Sequence, residues 1–170
     1  MAEGILVDVQ FQDSLSAALR RAAASGADLS PATKEIATYL EGVTRLRFEE
    51  GKGPGGAKWR PSERVREHGG KTLILTGDLL SSIGSDYGPT FAEVGPERSF
   101  GSAVYAAIHQ FGGTIAASGR RALSFGGRVV HSVTIPARPY VGFDEPDQER
   151  MTEILADFMK RVFGAGGAVA

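Results

Sequence analysis

The 170-residue chain has no cysteine. A disulfide scaffold and a thiolate metal site are thereby excluded. Histidine is scarce: His68, His109 and His131 are the whole supply. None stands in a His-x-x-x-His or His-Glu-x-x-His spacing, so zinc chemistry has no anchor. Net charge is nearly absent too. Nineteen basic residues against 20 acidic ones leave −1, which gives no global pull toward nucleic acid or an anionic membrane. No apolar run approaches the roughly 20 residues that span a bilayer. The opening residues, Met1 to Gly4, lack the basic start and apolar stretch of a secretory signal, which points to synthesis and use in the cytoplasm. Internal repeats and low-complexity blocks are also missing.

Catalytic signatures fail in the same way. A serine nucleophile needs a base and a strained elbow, and no Gly-x-Ser-x-Gly occurs. Phe100-Gly101-Ser102 and Ala117-Ser118-Gly119 are fragments of that motif. Gly51-Lys52-Gly53-Pro54-Gly55-Gly56 resembles a phosphate loop only in its glycines. It has no strand directly before it and no Gly-Lys-Ser/Thr ending. His109 fits a structural histidine that bonds a loop. The chain therefore reads as a protein without an active site, a metal or a cofactor.

What is present is enough apolar content, 42%, for one ordinary core. Ile5 to Phe11 reads as a strand, and Asp13 is placed to cap a helix carrying Leu15, Ala18, Leu19 and Ala22 on one face. Ser30-Pro31 starts a second helix, with a hydroxyl cap and proline at the first position; Ile36, Leu40, Val43 and Leu46 mark its stripe to about Phe48. A short helical turn is expected at 62–68. Leu79 to Ile83 reads as a short helix capped by Asp78, and a turn at Asp86 to Pro89 precedes a strand at Phe91 to Val94. Ala103 to Phe111 is helical and closes at Gly112-Gly113. Ala122 to Ile135 is β-like with Gly126-Gly127 as a hairpin tip. Met151, Ile154, Leu155, Phe158 and Val162 make the face of a last helix closed by Gly164.

The expected fold class is α+β. Helices from the two ends pack on a small, mostly antiparallel sheet with an extended β-hairpin. One domain spans 1–163, with a flexible loop at 51–58 and a hairpin arm at 114–134; 164–170 form a disordered tail. The glycines of 51–58 predict a mobile loop that a neighbouring chain would order. The arm has few bulky anchors, and a lone hairpin is marginal in water, so it is expected to pack on another subunit.

Charge is unevenly spread. Arg98 to Phe143 holds five arginines and no acid, whereas Asp144 to Asp157 holds six acids and one arginine. Two readings stand: a solvated strand face beside a dipole-matched helix start, or a charge-complementary seam between identical subunits. Residues 45–71 hold eight basic and four acidic side chains around Trp59. This segment is the basis for a reading of another class, a nucleic-acid-binding module. In a ring, such a loop would touch phosphates of passing DNA without reading sequence.

Four segments carry a resemblance. They are Phe48 through the glycine loop to Trp59-Arg60-Pro61, and Leu73-Ile74-Leu75-Thr76-Gly77-Asp78-Leu79-Leu80-Ser81-Ser82-Ile83. Tyr105-Ala106-Ala107-Ile108-His109-Gln110-Phe111-Gly112-Gly113 and Ile135-Pro136-Ala137-Arg138-Pro139-Tyr140-Val141-Gly142 follow. In order and spacing they resemble the phage virion morphogenesis family, over about residues 30 to 163. That family includes the tail-completion proteins of contractile-tailed phages and the corresponding proteins of Mu-like phages.

The resemblance implies an assembly protein of the head–tail junction in the virion, which completes tails so that they join filled heads. It implies a homo-oligomeric ring, six-fold like the tail. Its partners would be the tail terminator or tail tube on one side and connector proteins on the other. A tail-terminator or head-closure ring is the alternative post. The interface candidates are Trp59, Arg60, Arg120, Arg121, Arg128 and Arg138, with Asp144, Glu145 and Asp147 as the acidic side. Arg138, a fork-shaped donor, suits a carboxylate across an interface as well as it suits an intrachain ion pair.

Overall fold

The computed structural model describes residues 24, 26, 28–97, 103–117, 122–125 and 128–164. The expected strand at Ile5 to Phe11, nearly all of the helix after it, Arg98, Arg120, Arg121, the Gly126-Gly127 tip and the tail after Gly164 lie outside them. The described elements are α1 (Ser30–Glu50), α2 (Glu63–His68), α3 (Asp78–Ser81), β1 (Ile83–Gly88), β2 (Phe91–Pro96), α4 (Ala103–Phe111), β3 (Gly113–Ala116), β4 (Leu123–Phe125), β5 (Arg128–Val130), β6 (Ser132–Ile135) and α5 (Glu145–Gly164). The α+β class holds. Among the described residues, the sheet takes the form of three separate antiparallel pairs: β1–β2, β3–β6 and β4–β5.

Helix α1 starts one residue earlier than its serine implied. Leu29 is the N-cap and its side chain makes no cap bond. Asp28 does that work instead, accepting from the Ser30 N–H at 2.9 Å. The buried stripe runs through Ala32, Ile36, Ala37, Leu40, Thr44, Arg47 and Phe48, while Leu46 is 54% exposed. The apolar spacing through Val43 and Leu46 is off by about one residue because two polar side chains, Thr44 and Arg47, occupy the inner face of the last turns. Asp78 is likewise the first residue of α3 and not its cap; Gly77, at φ 91, is the cap. Ile83 belongs to β1, and Asp86 and Tyr87 pair with Glu93 and Ala92 inside a hairpin that turns at Pro89 and Thr90.

Two cores result. Leu29, Ala32, Ile36 and Leu40 of α1 pack with Met151, Ile154, Leu155 and Phe158 of α5. Each large side chain buried this way stabilises the fold by about 1.5–3 kcal/mol. Val162, expected on the same face, is 44% exposed. The second core gathers Phe48, Trp59, Leu79, Ile83, Ala106 and Tyr140. Phe48 sits at its centre, 5.6 Å edge-on to Trp59 and 5.2 Å from Tyr140. Residues far apart in sequence thus meet around one α1 side chain.

Candidate functional site

The segment 135–144 is the hub on which the distinctive motifs converge. Gln110 of α4 acts as a substitute strand: its Oε1 accepts from the N–H groups of Tyr140 (3.0 Å) and Val141 (3.1 Å), and its Nε2 donates to Val141 O at 2.8 Å. The Tyr140 hydroxyl donates to Ala106 O at 3.0 Å, and the Arg138 N–H donates to His109 O at 2.8 Å. Burial pushes the Tyr140 pKa up, keeping the phenol protonated as a donor. Gly112 lets α4 end against this segment. Its φ is +71, and a Cβ there would lie 2.6 Å from Ala137 N.

The glycine loop docks on the same segment from the other side. Trp59 Nε1 donates to Pro139 O at 2.9 Å, and Gly55 N–H donates to Asp144 Oδ2 at 3.1 Å. Within the loop, Gly53 N–H meets Ala57 O, Gly56 N–H meets Gly53 O, and Trp59 N–H meets Gly51 O. A Cβ on Gly53 would stand 2.8 Å from Pro139 O, so glycine is needed there for close approach. The glycines of 51–58, which suggest mobility by composition, let the backbone pack on 139–144 of its own chain.

The acidic side of the predicted seam divides in two. Asp144 and Asp147 form a reciprocal cap at the start of α5: Asp147 N–H donates to Asp144 Oδ1, and Asp144 N–H donates to Asp147 Oδ2, each at 3.1 Å. Asp147, 3% exposed, also accepts from Arg47 Nη2 at 2.5 Å and from the Tyr39 hydroxyl at 2.9 Å. Arg47 donates further to Gly142 O at 2.7 Å. Burial, then the hydrogen bond to Asp147, pushes the Tyr39 pKa up to about 12. The bonds from Gly55 and Asp147, with the Arg47 charge, outweigh burial and hold Asp144 below the ordinary carboxylate range. These two acids are therefore committed inside the chain, because a buried guanidinium on α1 needs them. Glu145 is exposed, with no bonded partner among the described residues, as is Glu149 one turn on.

The basic side divides as well. Trp59 is 7% exposed and unavailable for stacking on a base. Of the eight cations in 45–71, Arg45, Arg47, Lys52, Arg64 and Lys71 are bonded within the chain. Arg60 is exposed. Arg138 is 5% exposed and donates through Nε to Arg60 O at 2.9 Å, with no carboxylate of the described residues in ion-pair reach. Burial first, and then the neighbouring Arg60 charge, lowers its pKa. His109 lies beside it, packed edge-on against Tyr105 at 4.4 Å, and its buried Nδ1 has no hydrogen-bond partner. The sequence pointed to Arg138 by its fork geometry; it gave no sign of Arg47, Gln110 or Tyr140 as organising residues. Only the helical phase of Arg47, three residues after Thr44 and seven after Leu40, signalled its burial.

The third feature is the arm. β3 pairs with β6 from Gly113↔Ile135 to Ala116↔Ser132, and β4 pairs with β5 from Leu123↔Val130 to Phe125↔Arg128. Ile135 is buried; Val129 is 79% exposed, and the other side chains described in these strands are half-buried or exposed.

The chain matches the model of the phage virion morphogenesis family over residues 10–160. The chain belongs to the phage virion morphogenesis family. It is 30% identical over 156 residues to the Mu-like prophage FluMu G protein 2 of Haemophilus influenzae, covering 92% of this chain and 96% of that protein. It is 36% identical over 139 residues to the putative capsid assembly protein G of Escherichia phage Mu, covering 76% and 77% respectively. No solved structure is similar to it. All four motif segments lie within the matched range, and three of them are those that the hub at 135–144 binds together. A phage virion morphogenesis protein is a structural and assembly component. Among the described residues no group of three or more metal-ligating side chains gathers, and no helix is long and apolar enough to cross a membrane.

Proposed function

We propose that this virion morphogenesis protein works at the head–tail junction, where copies of it form a ring that completes the tail and lets it join a DNA-filled head. The observation that carries the reading is the arm: four short strands that, among the described residues, pair only two by two, with Ile135 alone buried among their described side chains. Two-stranded pairs of this length are marginal in water unless another surface covers them. A head-to-tail contact that closes by rotation repeats such a cover around a ring. Six-fold order would match a tail, with the tail terminator or tail tube on one face and connector proteins on the other. A ring at the terminator or head-closure layer is the neighbouring alternative, separated by imaging where the ring sits.

A nucleic-acid-binding module is the reading of another class, and the burial of Trp59 and the intrachain bonding of most cations in 45–71 weigh against it. The test is sedimentation velocity of the full chain, together with complementation of a phage lacking it. The expected result is a closed oligomer of one size, and heads and tails that stay apart without the protein. A monomer at all concentrations that shifts DNA in a salt-dependent manner would replace this reading with the binding module.

A further inference from the structure

Arg138 presents an energetic problem within one chain. A guanidinium this deeply buried ordinarily has a carboxylate beside it, since an unpaired buried charge is costly. Among the described residues its only side-chain bond is from Nε to a carbonyl, Arg60 O. The charge that weighs most on it is another cation, Arg60, which outweighs the opposing Tyr105 phenol. The adjoining imidazole leaves Nδ1 without a partner as well. Its neighbours along the chain hold no acid either, from Arg98 to Phe143.

We infer that Arg138, with Arg60 and His109 around it, is a socket for a carboxylate supplied by a second copy of this chain. This rests on the ring reading above. The donor surface is the outer face of α5, where Glu145 and Glu149 are exposed and, among the described residues, unpartnered, while Asp144 and Asp147 are used internally. The socket lies in the arginine-only stretch and the donor in the acidic one, so a head-to-tail contact joins the two halves of the chain's charge asymmetry. A planar guanidinium with free Nη groups takes a carboxylate in two parallel bonds, and this fixes the angle between subunits as well as their affinity.

The full-length protein and four variants test this by sedimentation equilibrium and by thermal melting of dilute subunit: Arg138→Met, Arg138→Lys, Glu145→Gln and Glu149→Gln, with the double variants. Arg138→Met should weaken self-association at least tenfold and leave the subunit's Tm unchanged or raised, because a charge without counter-ion has gone. Arg138→Lys should not restore association, since the fork is lost. One of the two glutamate variants should weaken association in the wild-type background and add nothing on top of Arg138→Met. Assembly unchanged in Arg138→Met, or a lowered subunit Tm as its sole effect, overturns the socket and leaves the ring reading standing. Additive effects for both glutamates, or normal self-association with failed joining of heads and tails, overturn the second copy as occupant. Failure of the wild type itself to associate sinks the ring reading and the socket together.

Discussion

The body and the arm of this protein solve the same problem in opposite ways. In the body, α1 and α5 bring eight buried apolar side chains together, and a polar stretch of the interface is closed by Arg47 and Asp147, each with 4% of its side chain exposed. Both side chains have further partners: Asp147 accepts from the Tyr39 hydroxyl and the Asp144 N–H of the α5 cap, and Arg47 donates to Gly142 O. In the arm, β3–β6 and β4–β5 have ladder bonds but little to bury, and Val129 faces solvent. Arg138 stands between the two, buried like the body and unpaired like a surface. One buried arginine is closed by a carboxylate of its own chain and the other is not, so burial alone does not decide whether a cation is paired within the fold.

The sharpest way to break that comparison is at the completed pair. Asp147→Ala leaves Arg47 buried without its carboxylate and removes half of the α5 cap. The loss expected is about 3–5 kcal/mol of subunit stability, read from urea unfolding. Replacing both partners by apolar residues, Arg47→Met with Asp147→Leu, should recover much of it, since no charge is then stranded. If Asp147→Ala unfolds at the wild-type urea midpoint, the pair is not what locks α1 to α5.

The next test lies in the glycine loop. Trp59→Phe keeps the aromatic packing on Phe48 and removes the bond to Pro139 O, at an expected cost of about 1–2 kcal/mol. The amide protons of Gly53, Gly55, Gly56 and Trp59 should exchange slowly in the isolated subunit and faster in the variant. Fast exchange of all four in the wild-type subunit would return the loop to the side of the arm, as a segment that only a neighbour orders.

These two regions also divide what the sequence made legible. The α5 face from Met151 to Phe158 follows helical spacing, and the structure buries it as that spacing requires. The end of α4 at Gly112 was legible for a similar local reason, because a positive φ at a helix end calls for glycine. The α1 stripe was misphased at Val43 and Leu46, since a count of apolar residues passes over the buried Thr44 and Arg47, the second of which turns inward to Asp147, 100 positions away. The same blindness made Asp144 and Asp147 read as surface acids. A charge run shows sign and density; it does not show which members are consumed by a distant buried cation. For the candidate site, Arg138 was legible from its proline-flanked setting, but its lack of a counter-ion depends on tertiary structure.

A smaller effect should appear in the pH dependence of stability. Burial, then the Arg138 charge, pushes the His109 pKa down to about 4, against 6.5 in an unfolded chain. Between these values the unfolded state holds a proton that the folded state lacks. The stability this group contributes is therefore present above about pH 6.5 and drains away as pH falls toward 4. The expected loss across that window is about 1 kcal/mol, after allowance for solvent screening at a partly exposed ring. His109→Gln should flatten that stretch of the curve and leave the steeper fall below about pH 3.8, where Asp144 takes up its proton. A curve with the same slope between pH 6.5 and 4 in both proteins would show that the imidazole titrates normally.

The smallest effect on the subunit should come from the largest excision. Joining Ala116 to Ser132 through Asn-Gly, in place of residues 117–131, closes β3–β6 with a two-residue turn suited to antiparallel strands. It removes β4–β5 and the exposed Val129, none of which belongs to either core. The urea midpoint and Tm of the dilute subunit should move by no more than surface changes do, about 0.5 kcal/mol. Self-association should nevertheless fail, and heads and tails should accumulate unjoined when this variant replaces the wild type. Val129→Ser offers a gentler form of the same test: no change in the subunit, but weaker assembly if that side chain is covered in the ring. A shortened chain that unfolds far more easily would place the arm within the folding unit. One that is stable and still assembles into infectious particles would remove the arm from the interface and dissolve the contrast with the body.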